Sequence, residues 1–112
     1  MRILLVDDER DNRDSMKMLL QLQGHDVELA ENGKEGVERA AAAVPDVVFM
    51  DMKMPVMDGL TATRLLRSQP MTRRVPIICI SAYLGEADWR DRAFEAGCNE
   101  CLPNPSIYVD LR

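Results

Sequence analysis

Three short stretches of uninterrupted apolar character dominate this chain: Ile3-Leu4-Leu5-Val6, Val47-Val48-Phe49-Met50 and Val75-Pro76-Ile77-Ile78-Cys79-Ile80. A strand with one face in water alternates apolar and polar side chains, so runs without alternation predict strands buried on both faces, as in a parallel sheet covered by helices. All are far shorter than the roughly 20 apolar residues that cross a bilayer. Between them the apolar spacing becomes helical. Met16, Leu19 and Leu20 fall at i, i+3 and i+4, with Gly24 as the stop; Val37, Ala40, Ala41 and Val44 repeat the spacing, opened by Asn32-Gly33 and closed before Pro45. A third helix is predicted from about Gly59 to Ser68, ended by Pro70, and a fourth around Trp89, Ala93 and Ala96, closed by Gly97.

Val27 and Leu29 alternate with Asp26, Glu28 and Ala30, which suits a more exposed edge strand, and Cys101-Leu102 makes a short last one. Strands and helices thus take turns along the chain, the order of a mainly parallel sheet with right-handed crossovers and helices on both faces. With 112 residues, 46% apolar and 29% charged, and no repeat or linker, residues 1–112 read as a single α/β domain rather than a tail or a fibre.

Fourteen Lys and Arg against nineteen Asp and Glu give a net charge of −5, which a phosphate backbone would repel, so direct nucleic-acid binding is not expected. The N-terminus runs into Asp7-Asp8 before a signal-peptide core could form, which predicts a cytoplasmic protein and no membrane partner. Cys79, Cys98 and Cys101 are odd in number and read as free thiols. Cys98 and Cys101 form a C-x-x-C, but with Cys79 on a buried strand and His25 far away, structural packing is the better reading than zinc. His25 reads as a surface residue, the eight methionines as core and loop filling, and Trp89 as packing or partner surface.

In an open parallel sheet the functional crevice lies outside the carboxyl ends of the strands, near the point where their order reverses. The first strand delivers Asp7-Asp8-Glu9 there, the third Asp51, the fourth Ser81-Ala82 and the fifth Pro103-Asn104-Pro105. Helix capping is the ordinary use of an acidic pair such as Asp7-Asp8. Asp51 changes the balance, because capping alone would leave three acids crowded on one rim, at a repulsion of about 1 kcal/mol per close pair. A hard divalent cation removes that repulsion, and Mg²⁺ takes one or two carboxylates together with water or phosphate. An acidic metal pocket is therefore expected. The turn Asp7-Asp8-Glu9-Arg10 has no glycine for backbone amides to approach a pyrophosphate, so neither a dinucleotide fingerprint nor a P-loop is present. A phosphoaspartate hydrolase would be expected to carry a second acid two residues after its nucleophile, where this chain has Lys53.

Together with Val47–Gly59, Val75–Ala82 and Ala96–Pro105, the acidic first segment resembles the receiver domain of two-component response regulators, of the chemotaxis-regulator type, over essentially the whole chain. The resemblance implies a flavodoxin-like, doubly wound, five-stranded parallel sheet. It implies that Asp51 accepts a phosphoryl group from a phosphohistidine on a histidine kinase or phosphotransfer protein, and that Asp7, Asp8, Asp51 and the backbone carbonyl of Lys53 form a Mg²⁺ site. Ser81 would be the hydroxyl that bonds the phosphoryl group and draws its loop inward. Such a domain is a phosphoacceptor switch that assists its own phosphotransfer and dephosphorylation rather than an enzyme. Met54-Pro55 would stiffen the loop beside Asp51, and Asp58-Gly59 would make the tight turn into the next helix.

Two positions depart from the family pattern. Asn104 stands where the family has a lysine whose ammonium pairs with the phosphorylation site, and Cys101 stands where an aromatic residue often follows the switch. An amide can bond but carries no charge, which favours an alternative: a degenerate receiver acting as a phosphorylation-independent binding or dimerisation module. Lys53 would either be solvated or partly replace the missing ammonium. After Pro105 only Ser106–Arg112 remain, about 10 Å of helix and too little to cover a sheet face. The last helix is thus expected to be short or missing, as in a chain truncated there. Ile107, Val109 and Leu111 also alternate like a strand. The tail either frays, or the uncovered apolar surface is buried by another domain or by a second copy as a homodimer.

Overall fold

The computed structural model describes residues 1–52, 54, 56–80 and 87–102, with the side chains of 87–89 left aside. The elements run β1 (Arg2–Val6), α1 (Arg10–Leu22), β2 (Asp26–Ala30), α2 (Gly33–Ala42), β3 (Val47–Asp51), α3 (Gly59–Ser68), β4 (Ile77–Ile80), α4 (Ala87–Ala96) and β5 (Glu100–Leu102). All strand pairs are parallel, in one sheet ordered β2-β1-β3-β4-β5. The doubly wound, five-stranded expectation holds.

The unbroken apolar runs are explained by two cores, one on each face. Leu4, Val6, Val48, Met50, Ile77 and Cys79 point to the side packed by α2, α3 and α4. Their neighbours Ile3, Leu5, Val47, Phe49, Ile78 and Ile80 point to the other, where Met16 and Leu20 of α1 lie against them. Successive residues of a strand face opposite ways, so a sheet covered twice requires an apolar residue at every position. β2 lies at the edge of the sheet, and its more exposed side chains match its alternating sequence.

Helix ends follow local chemistry. The Asn32 side chain accepts from the Glu35 N–H at 2.9 Å and opens α2; the Asp58 carboxylate accepts from the Thr61 N–H at 2.8 Å and opens α3. Gly24 and Gly97, with φ of +89° and +120°, turn the chain out of α1 and α4. Two boundaries differ from the sequence pattern. β4 begins at Ile77, because Pro76 has no N–H to give and offers only its carbonyl, to Val48 at 2.9 Å. α2 ends at Ala42, short of Val44, because the residue before a proline avoids helical geometry; Val44 still packs against the core. The tail Ser106–Arg112, and the dimer expectation resting on it, lie outside the described residues.

Candidate functional site

β1 and β3 are adjacent, and the chain leaves them in opposite directions, β1 towards β2 and β3 towards β4. Their register pairs Val6 with Met50, which brings the next residues, Asp7 and Asp51, side by side at the carboxyl rim. Asp8 completes the group. Carboxylate oxygens of Asp7, Asp8 and Asp51 lie within 4.8 Å of one another, Asp7 buried, Asp51 half-buried and Asp8 exposed.

The capping account does not explain these acids. Glu9 occupies the N-cap position of α1 and makes no side-chain cap bond. Asp7 Oδ1 accepts instead from the Glu9 N–H at 2.9 Å, which holds the turn, while the Asp7 N–H continues the ladder to Ala30 at 3.1 Å. Burial pushes the Asp7 carboxyl above its usual range. The Glu9 N–H draws it back, the charges of Asp8 and Glu9 push it up again, and Arg13 offsets part of that push.

Arg13 was not singled out by the sequence reading. Its guanidinium, buried on α1, donates from Nη1 to the Asp7 carbonyl at 2.8 Å, and Nη2 lies 3.8 Å from Glu31 Oε1. It therefore steadies the backbone of the site while part of its charge faces another acid. The signal was available: Arg13, Met16 and Leu20 fall at i, i+3 and i+7, so a cation sits on the apolar stripe of α1. Three oxygen donors at this spacing fit a hard cation such as Mg²⁺.

On the far side of the site, the Gly59 N–H donates to the Met52 carbonyl at 3.0 Å. A side chain at Gly59 would strike the Asp51 carbonyl oxygen and Met52. Its backbone has no left-handed φ, so the glycine is required by lack of space and not, as the sequence suggested, by the shape of the turn. In the same loop, exposed Val56 adopts φ +69°, unusual for a β-branched residue. The expectations for Lys53, Ser81 and Asn104, and for Pro55, fall outside the described residues. His25 is half-buried and meets the N-terminal amine at 3.3 Å, at the amino-terminal end of the sheet, away from the acids. No described helix is long and apolar enough to cross a membrane.

A doubly wound parallel sheet with three acids gathered at its switch point defines the class, an open α/β fold whose functional crevice lies outside the carboxyl ends of its strands. Residues 3–111 match the family model of the response regulator receiver domain, and the chain belongs to that family. It is 38% identical over 110 residues to response regulator MprA of Mycolicibacterium vanbaalenii, covering 98% of this chain and 46% of MprA. The chain thus spans less than half the length of that relative. The receiver domain of sensor histidine kinase PA1611 from Pseudomonas aeruginosa, crystallised with a magnesium ion coordinated in its active-site cleft, superposes with a TM-score of 0.86 at 38% identity, covering 93% of this chain and 84% of that one. The chemotaxis protein CheY4 of Vibrio cholerae gives 0.88 at 28% identity, with 96% and 92% covered.

Proposed function

We propose that this receiver domain works in a phosphorelay, with Asp51 accepting a phosphoryl group from the phosphohistidine of a histidine kinase or phosphotransfer protein in a Mg²⁺-dependent reaction. The observation that carries the reading is the convergence of Asp7 and Asp8 on Asp51 at the switch point between β1 and β3. Asp7, Asp8 and Asp51, with the Lys53 carbonyl, would hold the cation. When bound, Mg²⁺ supplies neutralisation of the charge between the nucleophile and the anionic phosphoryl group.

Asp51 stands at the end of a central strand whose preceding four residues are buried, so its backbone is fixed while its carboxylate reaches the rim. A carboxylate oxygen of Asp51 attacks phosphorus, the phosphorus–nitrogen bond breaks, and the imidazole leaves with the electron pair. Asp7, held by the Glu9 N–H and backed by Arg13, keeps its place as charge changes beside it. Ser81 then bonds the phosphoryl group and draws in its loop, altering a partner-binding surface. The net charge of −5 supports a protein partner over nucleic acid.

The test is incubation with Mg²⁺ and a small phosphodonor such as acetyl phosphate, read by intact mass. One phosphoryl group should be gained by the wild type and none by Asp51→Asn. Labelling that persists in Asp51→Asn removes Asp51 as the acceptor. Asn104 favours the second reading, a degenerate receiver that binds or dimerises without phosphorylation. A wild type that binds Mg²⁺ yet gains no mass, from the small donor or from a phosphorylated kinase, would establish that reading instead.

A further inference from the structure

Charge is not spread evenly along this chain. Residues 59–84 hold four arginines, Arg64, Arg67, Arg73 and Arg74, and no other charged residue, while the rest of the chain sets ten Lys and Arg against nineteen acids, a balance of −9. The fold gathers those arginines in one place. Arg64 and Arg67 are neighbours near the end of α3, and Arg67 Nη1 donates to the Arg73 carbonyl at 3.0 Å, which sets the turn carrying Arg73 and Arg74 beside them. The turn is itself pinned. Thr72 Oγ1 donates to the Leu66 carbonyl at 2.6 Å, and the Thr72 and Arg73 N–H groups donate to the Gln69 carbonyl at 3.2 and 2.9 Å. These residues lead into β4, so the cluster lies at the amino-terminal end of the sheet, opposite the three acids.

Ordinary structural duties do not use these charges. Arg10, Arg13 and Arg39 each face an acid, but among the described residues Arg64, Arg73 and Arg74 make no ion pair. The helix dipole accounts for Arg67 alone, the cation in the last turn of α3, since its pull fades within that turn. Arg67 donates to the carbonyls of Gly97, Arg73 and Val75 and to Asn99 Oδ1, at 2.6–3.0 Å, and these acceptors are neutral, so its charge is not cancelled. Arg64, Arg73 and Arg74 are exposed, and Met71, between them in sequence, is 64% exposed. Arg and Met are enriched where proteins meet, and Lys, absent from this segment, is depleted there.

We propose that this face, the end of α3 with the turn 69–75, is a docking surface for an acidic, partly apolar segment of a partner protein. Guanidinium groups hold carboxylates through paired N–H donors and are more weakly hydrated than ammonium groups, so carboxylates are gripped while Met71 covers an apolar side chain between them. Because the turn is fixed before binding, little order has to be imposed on it. Width selects a segment over a bilayer or a duplex. Exposed Glu95 and Glu100 lie within two positions of Gly97 and Asn99, which Arg67 holds, and would repel a broad anionic surface laid across this end of the domain. A single extended segment reaches the arginines without covering those acids.

The test is titration of the isotopically labelled protein with the acetylated peptide Glu-Glu-Leu-Glu-Glu-Leu-Glu-Glu at low salt, followed by amide chemical shifts. Saturable shifts should centre on residues 64–75, and affinity should fall by about tenfold or more in about 1 M NaCl, where the screening length drops to about 3 Å. The double variant Arg73→Glu with Arg74→Glu should bind about tenfold more weakly or not at all, and the same peptide with Gln for Glu should not bind the wild type. Met71→Ser should weaken binding with the salt dependence unchanged. Arg73 and Arg74 are exposed and outside the acidic site, so the double variant should keep the wild-type melting temperature and mass response to acetyl phosphate, which separates lost docking from lost folding. No saturable shift with the peptide, equal affinity of wild type and double variant, or tighter binding of phosphatidylserine vesicles or duplex DNA through the same arginines would overturn the proposal.

Discussion

A Cβ on Gly59 would overlap the backbone carbonyl oxygen of Asp51, so the chain can lie this close to the end of β3 only as glycine. The first turn of α3 is thereby pressed against the end of β3, and the position of Asp51 depends on a residue eight places later in the chain. Gly59→Ala should destabilise the fold by about 1–3 kcal/mol, the usual consequence of forcing extra volume into a packed site. It should also weaken Mg²⁺ binding, because the displaced strand end carries Asp51, one of the three acids proposed to hold the cation. Urea denaturation with an unchanged slope and an unchanged midpoint would contradict this.

Val56 points to a gain in stability. It is 79% exposed with φ +69°, so it contributes little burial to offset its backbone conformation. Asparagine tolerates the left-handed region far better than a β-branched residue, which bears a cost of about 1–2 kcal/mol there. Val56→Asn should raise the urea midpoint, by a gain of about 1 kcal/mol or slightly less.

Asp7 makes stability depend on pH in a definite direction. Its carboxyl is raised in the folded state, so the folded protein holds the proton more tightly than the unfolded chain. The stability contributed is fully present below the ordinary carboxylate value and is lost as pH rises through the raised one. Without Mg²⁺, Asp7→Asn should therefore have a higher melting temperature than the wild type at neutral pH. With Mg²⁺ the order should reverse, since the cation binds the folded, ionised site and stabilises only the wild type. Asp8→Ala should lose the same Mg²⁺-induced gain. Calorimetry with and without Mg²⁺ checks both signs.

Arg67 ties four acceptors with one planar group, reaching Gly97, Arg73, Val75 and Asn99 from α3. Lysine has a single ammonium and cannot span them. Arg67→Lys should cost about 2–4 kcal/mol, with the loss concentrated where α4 enters β5. Hydrogen exchange should show Asn99 and Ile77 amides opening first, since Asn99 Oδ1 also accepts from the Ile77 N–H at 2.8 Å. Equal protection in the two proteins would refute it.

How much of this could be read from the sequence follows from the range of each interaction. Runs such as Ile3–Val6 and Val47–Met50 announced strands covered on both faces, and Asp7, Asp8 and Asp51 were legible because each follows such a run. Boundaries at Pro76 and Val44 were misjudged where apolar character continued past the point at which proline breaks the backbone pattern. Gly59 was noticed for the wrong reason, since its neighbour in space, the Asp51 carbonyl, cannot be seen in a linear reading. The Arg67 bonds to Gly97 and Asn99 depend on the end of α4 and the start of β5 returning beside α3, a fact of topology rather than of local pattern.

The strand order also divides the chain by task. The acidic cluster is assembled from β1 and β3, and so from the first 51 of 112 residues, while β4, α4 and β5 are laid down beside it in order. Substitutions in α4 and β5 therefore leave all three acids, and the two strands that carry them, unchanged. An emerging chain would hold all three acids before the second half of its sheet exists.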